Sequence, residues 1–229
     1  MSSNQRDRSR KDRITALLAE LWQQGIRDEP VLTAIAHVPR ERFVAAEDQE
    51  NAWANVALPI GAGQTISQPY VVALMTHAMN LSGTEHVLEV GTGSGYQTAI
   101  LCQLAGTVVS IERHQVLAKR ATALLAELGC SNVAIHTGDG STGWPEAAPF
   151  DRIMVTAAAP RPPRPLLDQL GTAGRIVIPI GEPNNQKLVA IDRTGTEFRE
   201  TELGLVRFVP LIGRDGWAAP AQSSGHERE

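Results

Sequence analysis

Gly91, Thr92, Gly93, Ser94 and Gly95 follow an apolar run with strand character at residues 86–90 and open a helical one. Glycines at such a junction let a ligand approach the backbone closely and leave free N–H groups facing it. A dinucleotide fingerprint would place its third glycine at position 96, which is Tyr96, so strict pyrophosphate binding is disfavoured. Glu112 stands 21 residues after Gly91, at the end of the next apolar run, where a carboxylate can accept both hydroxyls of a ribose. After a third such run, Asp139 sits between Gly138 and Gly140 and offers a second carboxylate to an adenine amine or to nearby backbone. Each segment alone reads more readily as a turn. Together, at the carboxyl ends of three successive strands, they point to a cofactor containing adenosine.

Exclusions narrow the chemistry. There is no GxxxxGK[ST] run, which removes a P-loop NTPase, and Thr92 two residues before Ser94 breaks a GxSxG nucleophile elbow. The histidines His37, His77, His86, His114, His136 and His226 show no HExxH or other ligand spacing, so no protein-bound metal is expected. His86 and His136 fall on strand runs and read as packing or hydrogen-bonded residues. What remains is a cofactor that itself carries the reactive group. S-adenosyl-L-methionine fits, having an adenosine, ribose hydroxyls and an amino-acid end but no phosphate. Ser67, two residues before Pro69 and a helical run, reads from spacing alone at least as readily as a helix cap as a catalytic hydroxyl.

The elements that must position these residues follow from hydrophobic spacing. Ile14, Leu17, Leu18, Leu21 and Trp22 form one helical face, and Val31, Leu32, Ile35 and Val38 a second, stopped by Pro39. Residues 40–69 lose periodicity and, with Pro59, Gly61, Gly63 and Pro69, read as a long loop of the kind that is often functional. A helical run with Val71, Val72, Leu74, Met75, Ala78 and Met79 follows. Strands at 86–90, 107–111, 133–136, 150–155, 175–180, 188–191 and 203–210 then alternate at first with helices, implying a doubly wound, mostly parallel α/β sheet. The last strands lack intervening helices and predict an antiparallel C-terminal edge. The organisation expected is a flexible basic arm at 1–13, one domain at 14–218 and a polar tail at 219–229. Within the domain, 14–82 carries the N-terminal helices and long loop, 83–181 the cofactor-binding core, and 182–218 the terminal strands.

The 229 residues suit one domain, and a net charge of −4 with a pI near 5.9 argues against a nucleic-acid footprint. No apolar run approaches the roughly 18 residues that would span a bilayer, and the arginine-rich N-terminus has no apolar core of a secretory signal. The two cysteines, Cys102 and Cys130, cannot make a disulfide framework, which favours a reducing compartment and a cytoplasmic, soluble protein.

Several segments resemble successive motifs of the protein-L-isoaspartate O-methyltransferases: residues 38–44, 63–70, 87–97, 109–113, 138–140, 150–160, 174–181 and 206–211. The resemblance spans roughly 14–212. Its glycine loop and acidic residues are common to many methyltransferases, whereas Gln64, Thr65, Ile66, Ser67, Gln68 and Pro69, with Ala157, Ala158, Ala159 and Pro160, are distinctive. It implies a Rossmann-like class I S-adenosylmethionine-dependent methyltransferase fold and methyl transfer to the free α-carboxylate of L-isoaspartyl residues in damaged proteins and peptides. The ester then closes to a succinimide, and S-adenosyl-L-homocysteine leaves as product. Ser67 is implied as the active-site serine, with Thr65, Ile66 and Ala158 beside the substrate; Gly91, Thr92, Gly93, Ser94, Gly95, Glu112, Asp139 and Gly140 are implied to contact the cofactor. A monomer without metal, nucleic acid or membrane is the corresponding expectation.

The alternative is a methyltransferase of the same fold acting on RNA or a small molecule. A base-flipping enzyme would favour an Asn/Asp-Pro-Pro-aromatic motif after the fourth strand; residues 156–160 read Thr-Ala-Ala-Ala-Pro instead. A non-catalytic adaptor that keeps the cofactor fold is disfavoured by the intact loop, Glu112 and Ser67.

Overall fold

The computed structural model describes residues 3–219. The chain opens with α1 (Ser3–Gln23) and α2 (Glu29–His37), and passes two 3-10 turns (Arg40–Phe43 and Ala46–Asn51) into a hairpin of β1 (Leu58–Gly61) and β2 (Gln64–Ile66). After α3 (Pro69–Met79) come β3 (His86–Val90), α4 (Tyr96–Leu104), β4 (Thr107–Glu112), α5 (Gln115–Glu127), β5 (Val133–Thr137), β6 (Phe150–Val155) and α6 (Arg164–Asp168). Three long strands, β7 (Leu170–Glu182), β8 (Asn185–Thr194) and β9 (Glu197–Val206), finish the architecture.

Seven strands form one sheet in the order β5-β4-β3-β6-β7-β8-β9. The five from β5 to β7 are parallel, and β8 and β9 add the expected antiparallel edge. The direction of winding reverses between β3 and β6, and the crevice outside the strand carboxyl ends at such a reversal is where open α/β sheets bind ligands.

Strand composition explains the layers. On β3, Leu88 and Val90 pack with Ile153, Val155, Ile176 and Leu166 on one face, whereas Val87 packs with Met75, Met79 and Leu101 on the other. A strand covered on both faces reads as a continuous apolar run rather than an alternating one. The buried side of α2, with Val31, Ala34 and Ile35, joins α1 and α4 in a further cluster containing Leu17, Leu21, Tyr96 and Ile100. The start of α2 is fixed by Asp28, whose carboxylate accepts the Val31 N–H at 3.2 Å, with Pro30 in the first turn.

Three expectations need correction. Of the arm expected at 1–13, residues 1–2 lie outside the described residues, and 3–13 are helical and continuous with the rest of α1 rather than irregular. Arg10 pairs with Glu41 at 2.6 Å and Arg13 donates to the Glu50 carbonyl at 3.0 Å, so contacts far along the chain fix charges that carry no apolar period. The loop expected at 40–69 contains the hairpin, whose buried Leu58, Ile60 and Ile66 are too few for a periodic signal. The residue capping α3 is Gln68, without a side-chain bond, so the Ser67 hydroxyl is not spent as a helix cap. Of the polar tail expected at 219–229, all but Ala219 lies outside the described residues. Among the described residues no helix is long and apolar enough to cross a membrane.

Candidate active site

A cavity of about 770 Å³ opens at the winding reversal. The glycine loop, the end of β4, α3, the segment after β2 and the end of β9 line it. This volume is in the range that holds a cofactor-sized ligand.

The glycine loop is shaped by close approach. Gly91 has φ +98°, and a Cβ there would lie 2.2 Å from Thr156 Oγ1. That hydroxyl donates toward the carbonyls of Val90 at 3.0 Å and Gly91 at 2.7 Å, clamping the loop to the end of β6. A Cβ on Gly140 would lie 2.4 Å from Val90 Cγ1, so that position also tolerates only glycine without rearrangement. Glu112 is 4% exposed; its Oε2 accepts the Gly93 N–H and its Oε1 the His114 N–H, both at 2.8 Å. Each oxygen retains a second lone pair for a ligand hydroxyl.

Beneath the loop runs a polar network that the sequence reading did not single out. Glu89 is fully buried on β3; its Oε2 accepts from Thr98 Oγ1 at 2.6 Å and Ser110 Oγ at 2.5 Å, and Ser110 in turn meets Thr92 of the loop at 2.6 Å. Glu89 Oε1 has no hydrogen-bond partner among the described residues. Burial pushes this carboxyl up to about 7 against the opposing hydrogen bonds of Ser110 and Thr98, with the Glu112 charge adding to the rise. Its ordinary value is 4.5, so the native state binds this proton more tightly than the unfolded chain does. The resulting stabilisation is complete below about pH 4.5 and is lost as pH rises through about 7, an effect of roughly 3 kcal/mol. Glu89→Gln is expected to remove that fall. Urea midpoints for both proteins at pH 5 and pH 8 check it, and an unchanged pH difference in the variant would refute it.

Thr65, Ile66 and Ser67 line the same cavity as the glycine loop. The Ser67 hydroxyl makes no hydrogen bond among the described residues, while its carbonyl accepts from Arg40 Nη2 at 2.8 Å. Gly91, Thr92, Gly93, Ser94, Glu112 and Gly140 are all brought to the cavity.

Three candidates are not among the residues that line the cavity. Gly95 packs beneath the loop, where its Cβ position is 3.1 Å from that of Ala121, and serves helix packing at the start of α4. Asp139 is turned to backbone: Oδ1 accepts from Ser141 N and Oγ, and Oδ2 from Arg214 N at 2.7 Å. Burial alone would raise its pKa, but the bonds from Arg214 and Ser141 hold it below the usual carboxylate range. Ala158 is buried behind the wall, its carbonyl accepting the Trp217 indole N–H at 3.0 Å and the Leu211 N–H at 2.8 Å; Ala157 and Thr156 face the cavity instead. The sequence reading also missed the wall at 203–212 and the contributions of Tyr70, Met75 and Gln97. The wall carries mostly apolar residues without chemical signature, and periodicity alone would have assigned the α3 residues to a core.

The sheet order, the glycine loop after β3 and the carboxylate ending β4 define a class I S-adenosylmethionine-dependent methyltransferase. Within that class, the protein-L-isoaspartate(D-aspartate) O-methyltransferase family (PCMT) matches residues 12–216, and the chain belongs to it. A protein-L-isoaspartate O-methyltransferase of Anaeromyxobacter dehalogenans is 56% identical over 200 residues, covering 86% of this chain and 96% of that one. A solved protein-L-isoaspartate O-methyltransferase superposes with a TM-score of 0.81 at 27% identity, covering 89% of this chain and 67% of its own. A Plasmodium falciparum structure described as a beta-aspartate methyltransferase, in complex with S-adenosyl-L-homocysteine, gives 0.74 at 26% identity, with 86% and 97% covered.

Proposed function

We propose that this protein methylates the free α-carboxylate of L-isoaspartyl residues in damaged proteins and peptides, acting as a cytoplasmic monomer. The observation that carries the reading is that Thr65, Ile66 and Ser67 line one cavity together with the glycine loop and Glu112. When bound, S-adenosyl-L-methionine supplies the methyl group of a cationic sulfonium. Glu112 would accept the ribose hydroxyls, and Gly91, Thr92, Gly93 and Ser94 would let the cofactor lie against the backbone. Gly140, which also lines the cavity, packs against Val90.

No group of the protein needs to remove a proton. A peptide α-carboxylate has a reference pKa near 3.5 and is already ionised at neutral pH, and among the described residues no histidine lines the cavity. Ser67 donates its unengaged hydroxyl to one carboxylate oxygen, turning the other toward the methyl group. Buried Ile66 and the apolar side chains of Leu203, Val206, Phe208 and Val209 would limit water at the reacting atoms. Transfer would form the O–CH3 bond as the S–CH3 bond breaks, with neutral S-adenosyl-L-homocysteine as leaving group; anionic and cationic charge would cancel, and a well-oriented site shielded from water would favour that change. The neutral ester leaves and closes to a succinimide without the enzyme.

Ser67→Ala is expected to lose about 1.5–3 kcal/mol of transition-state binding, roughly tenfold to a few hundredfold in kcat/KM. Steady-state kinetics with an isoaspartyl peptide check it; an unchanged rate would remove Ser67 from the reaction. The functional reading itself is tested with methyl-labelled cofactor and two peptides differing only in Asp against isoaspartate. Base-labile label on the isoaspartyl peptide alone is the expected result, and label on neither would refute it.

A further inference from the structure

Arg40, in the 3-10 turn after α2, is 0% exposed. Its Nε donates to the Ala52 carbonyl at 2.7 Å, and its Nη2 to the carbonyls of Ser67 at 2.8 Å and Val56 at 3.3 Å. The guanidinium carbon lies 4.8 Å from the centroid of the Tyr96 ring, and Nη1 has no hydrogen-bond partner among the described residues. Every one of these contacts is neutral, and among the described residues no carboxylate forms an ion pair with Arg40. The adjacent Glu41 is engaged by Arg10 instead. An arginine remains charged when buried, and buried charges are ordinarily paired because desolvating a lone one is costly.

We infer that Arg40 is a positioning residue whose missing counter-charge is the substrate carboxylate: it anchors the 52–67 segment through the Ser67 carbonyl and supplies the positive potential that the anion completes. This inference rests on the function proposed above. Two consequences follow from charge alone. The potential stabilises the bound anion more than a transition state in which that charge is being consumed, so it acts on KM rather than kcat. Once the carboxylate has become a neutral ester, the same potential no longer holds it, which favours release before succinimide closure.

The test compares wild type, Arg40→Met and Arg40→Lys. The measurements are kinetics with an isoaspartyl peptide at saturating methyl donor, inhibition by the same peptide as its neutral α-carboxamide, and calorimetric binding of S-adenosyl-L-homocysteine. For Arg40→Met the expectation is a KM raised about tenfold or more, kcat within about threefold, and carboxamide inhibition and product binding within about twofold. Arg40→Lys keeps the charge with fewer donors and should keep the preference for carboxylate over carboxamide within about threefold. A KM within twofold of wild type in Arg40→Met, or equal weakening of carboxylate and carboxamide, would reduce Arg40 to a loop clamp. If Arg40→Met no longer binds S-adenosyl-L-homocysteine, Arg40→Lys decides, and loss of its carboxylate preference overturns the inference. Absence of methyl ester with wild type would instead refute the function on which the inference rests.

Discussion

Glu112→Ala is expected to weaken S-adenosyl-L-methionine binding by on the order of two to three decades while leaving the isoaspartyl peptide KM, measured at saturating cofactor, nearly unchanged. The carboxylate is held in place before any ligand arrives by the Gly93 and His114 N–H groups, at 2.8 Å each, so it loses little freedom on binding. Its two remaining lone pairs would accept the two ribose hydroxyls. Hydrogen bonds to a charged group contribute about 1.5–3 kcal/mol each, and with imperfect additivity their loss comes to roughly 3–4 kcal/mol, or two to three decades in Kd. The substitution also releases the Gly93 N–H, so the loop loses an anchor as well as the ligand a partner. Glu112→Gln, which keeps the shape and one acceptor, should fall between the two. Calorimetry with S-adenosyl-L-methionine and S-adenosyl-L-homocysteine measures both variants; a Glu112→Ala Kd within fivefold of wild type would remove the carboxylate from the cofactor site.

The place of Glu112 beside the glycine loop was legible in the sequence because it is set locally: a strand ends, and a carboxylate stands at a fixed distance from a glycine-rich turn. The parallel core was legible for a related reason, since β3, β4 and β6 are buried on both faces and so appear as short apolar runs. What escaped the sequence depends on contacts distant in the chain. Asp139 stands where a cofactor contact was expected, yet the Arg214 N–H, 75 positions away, claims one of its oxygens. Arg40 carries a charge that ordinarily marks a surface position, and its burial depends on carbonyls brought around it from Ala52, Val56 and Ser67. The β1–β2 hairpin fell below detection because four residues pairing with three cannot establish a period. The helix at residues 3–13 has no apolar stripe within it, and its placement depends on Glu41 and the Glu50 carbonyl. The wall at 203–212 is a different case, because its residues are apolar on an edge strand and on the chain that follows, and only the sheet order brings them over the cavity.

The second large effect is expected for Gly91→Ala, and its cause can be separated into two parts. With φ at +98°, an alanine pays a backbone strain of about 1–3 kcal/mol. Its Cβ would also stand 2.2 Å from Thr156 Oγ1, so the threonine hydroxyl must move and give up its bonds to Val90 and Gly91, roughly 1 kcal/mol each. The strain falls at the winding reversal, where the loop between β3 and α4 must be held for the cofactor, so binding of S-adenosyl-L-homocysteine should drop more than about a hundredfold and Tm should fall as well. Thr156→Ala removes the clashing atom but keeps its Cβ, which would lie 3.6 Å from the new methyl group, an ordinary contact. Gly91→Ala with Thr156→Ala should therefore recover the steric part and retain the backbone part, giving a double-mutant cycle with favourable coupling of about 1 kcal/mol or more. Calorimetric binding and urea unfolding of the four proteins measure that coupling. If the double variant binds no better than Gly91→Ala alone, the close approach to Thr156 is not what requires glycine at this position, and the backbone conformation carries the whole effect.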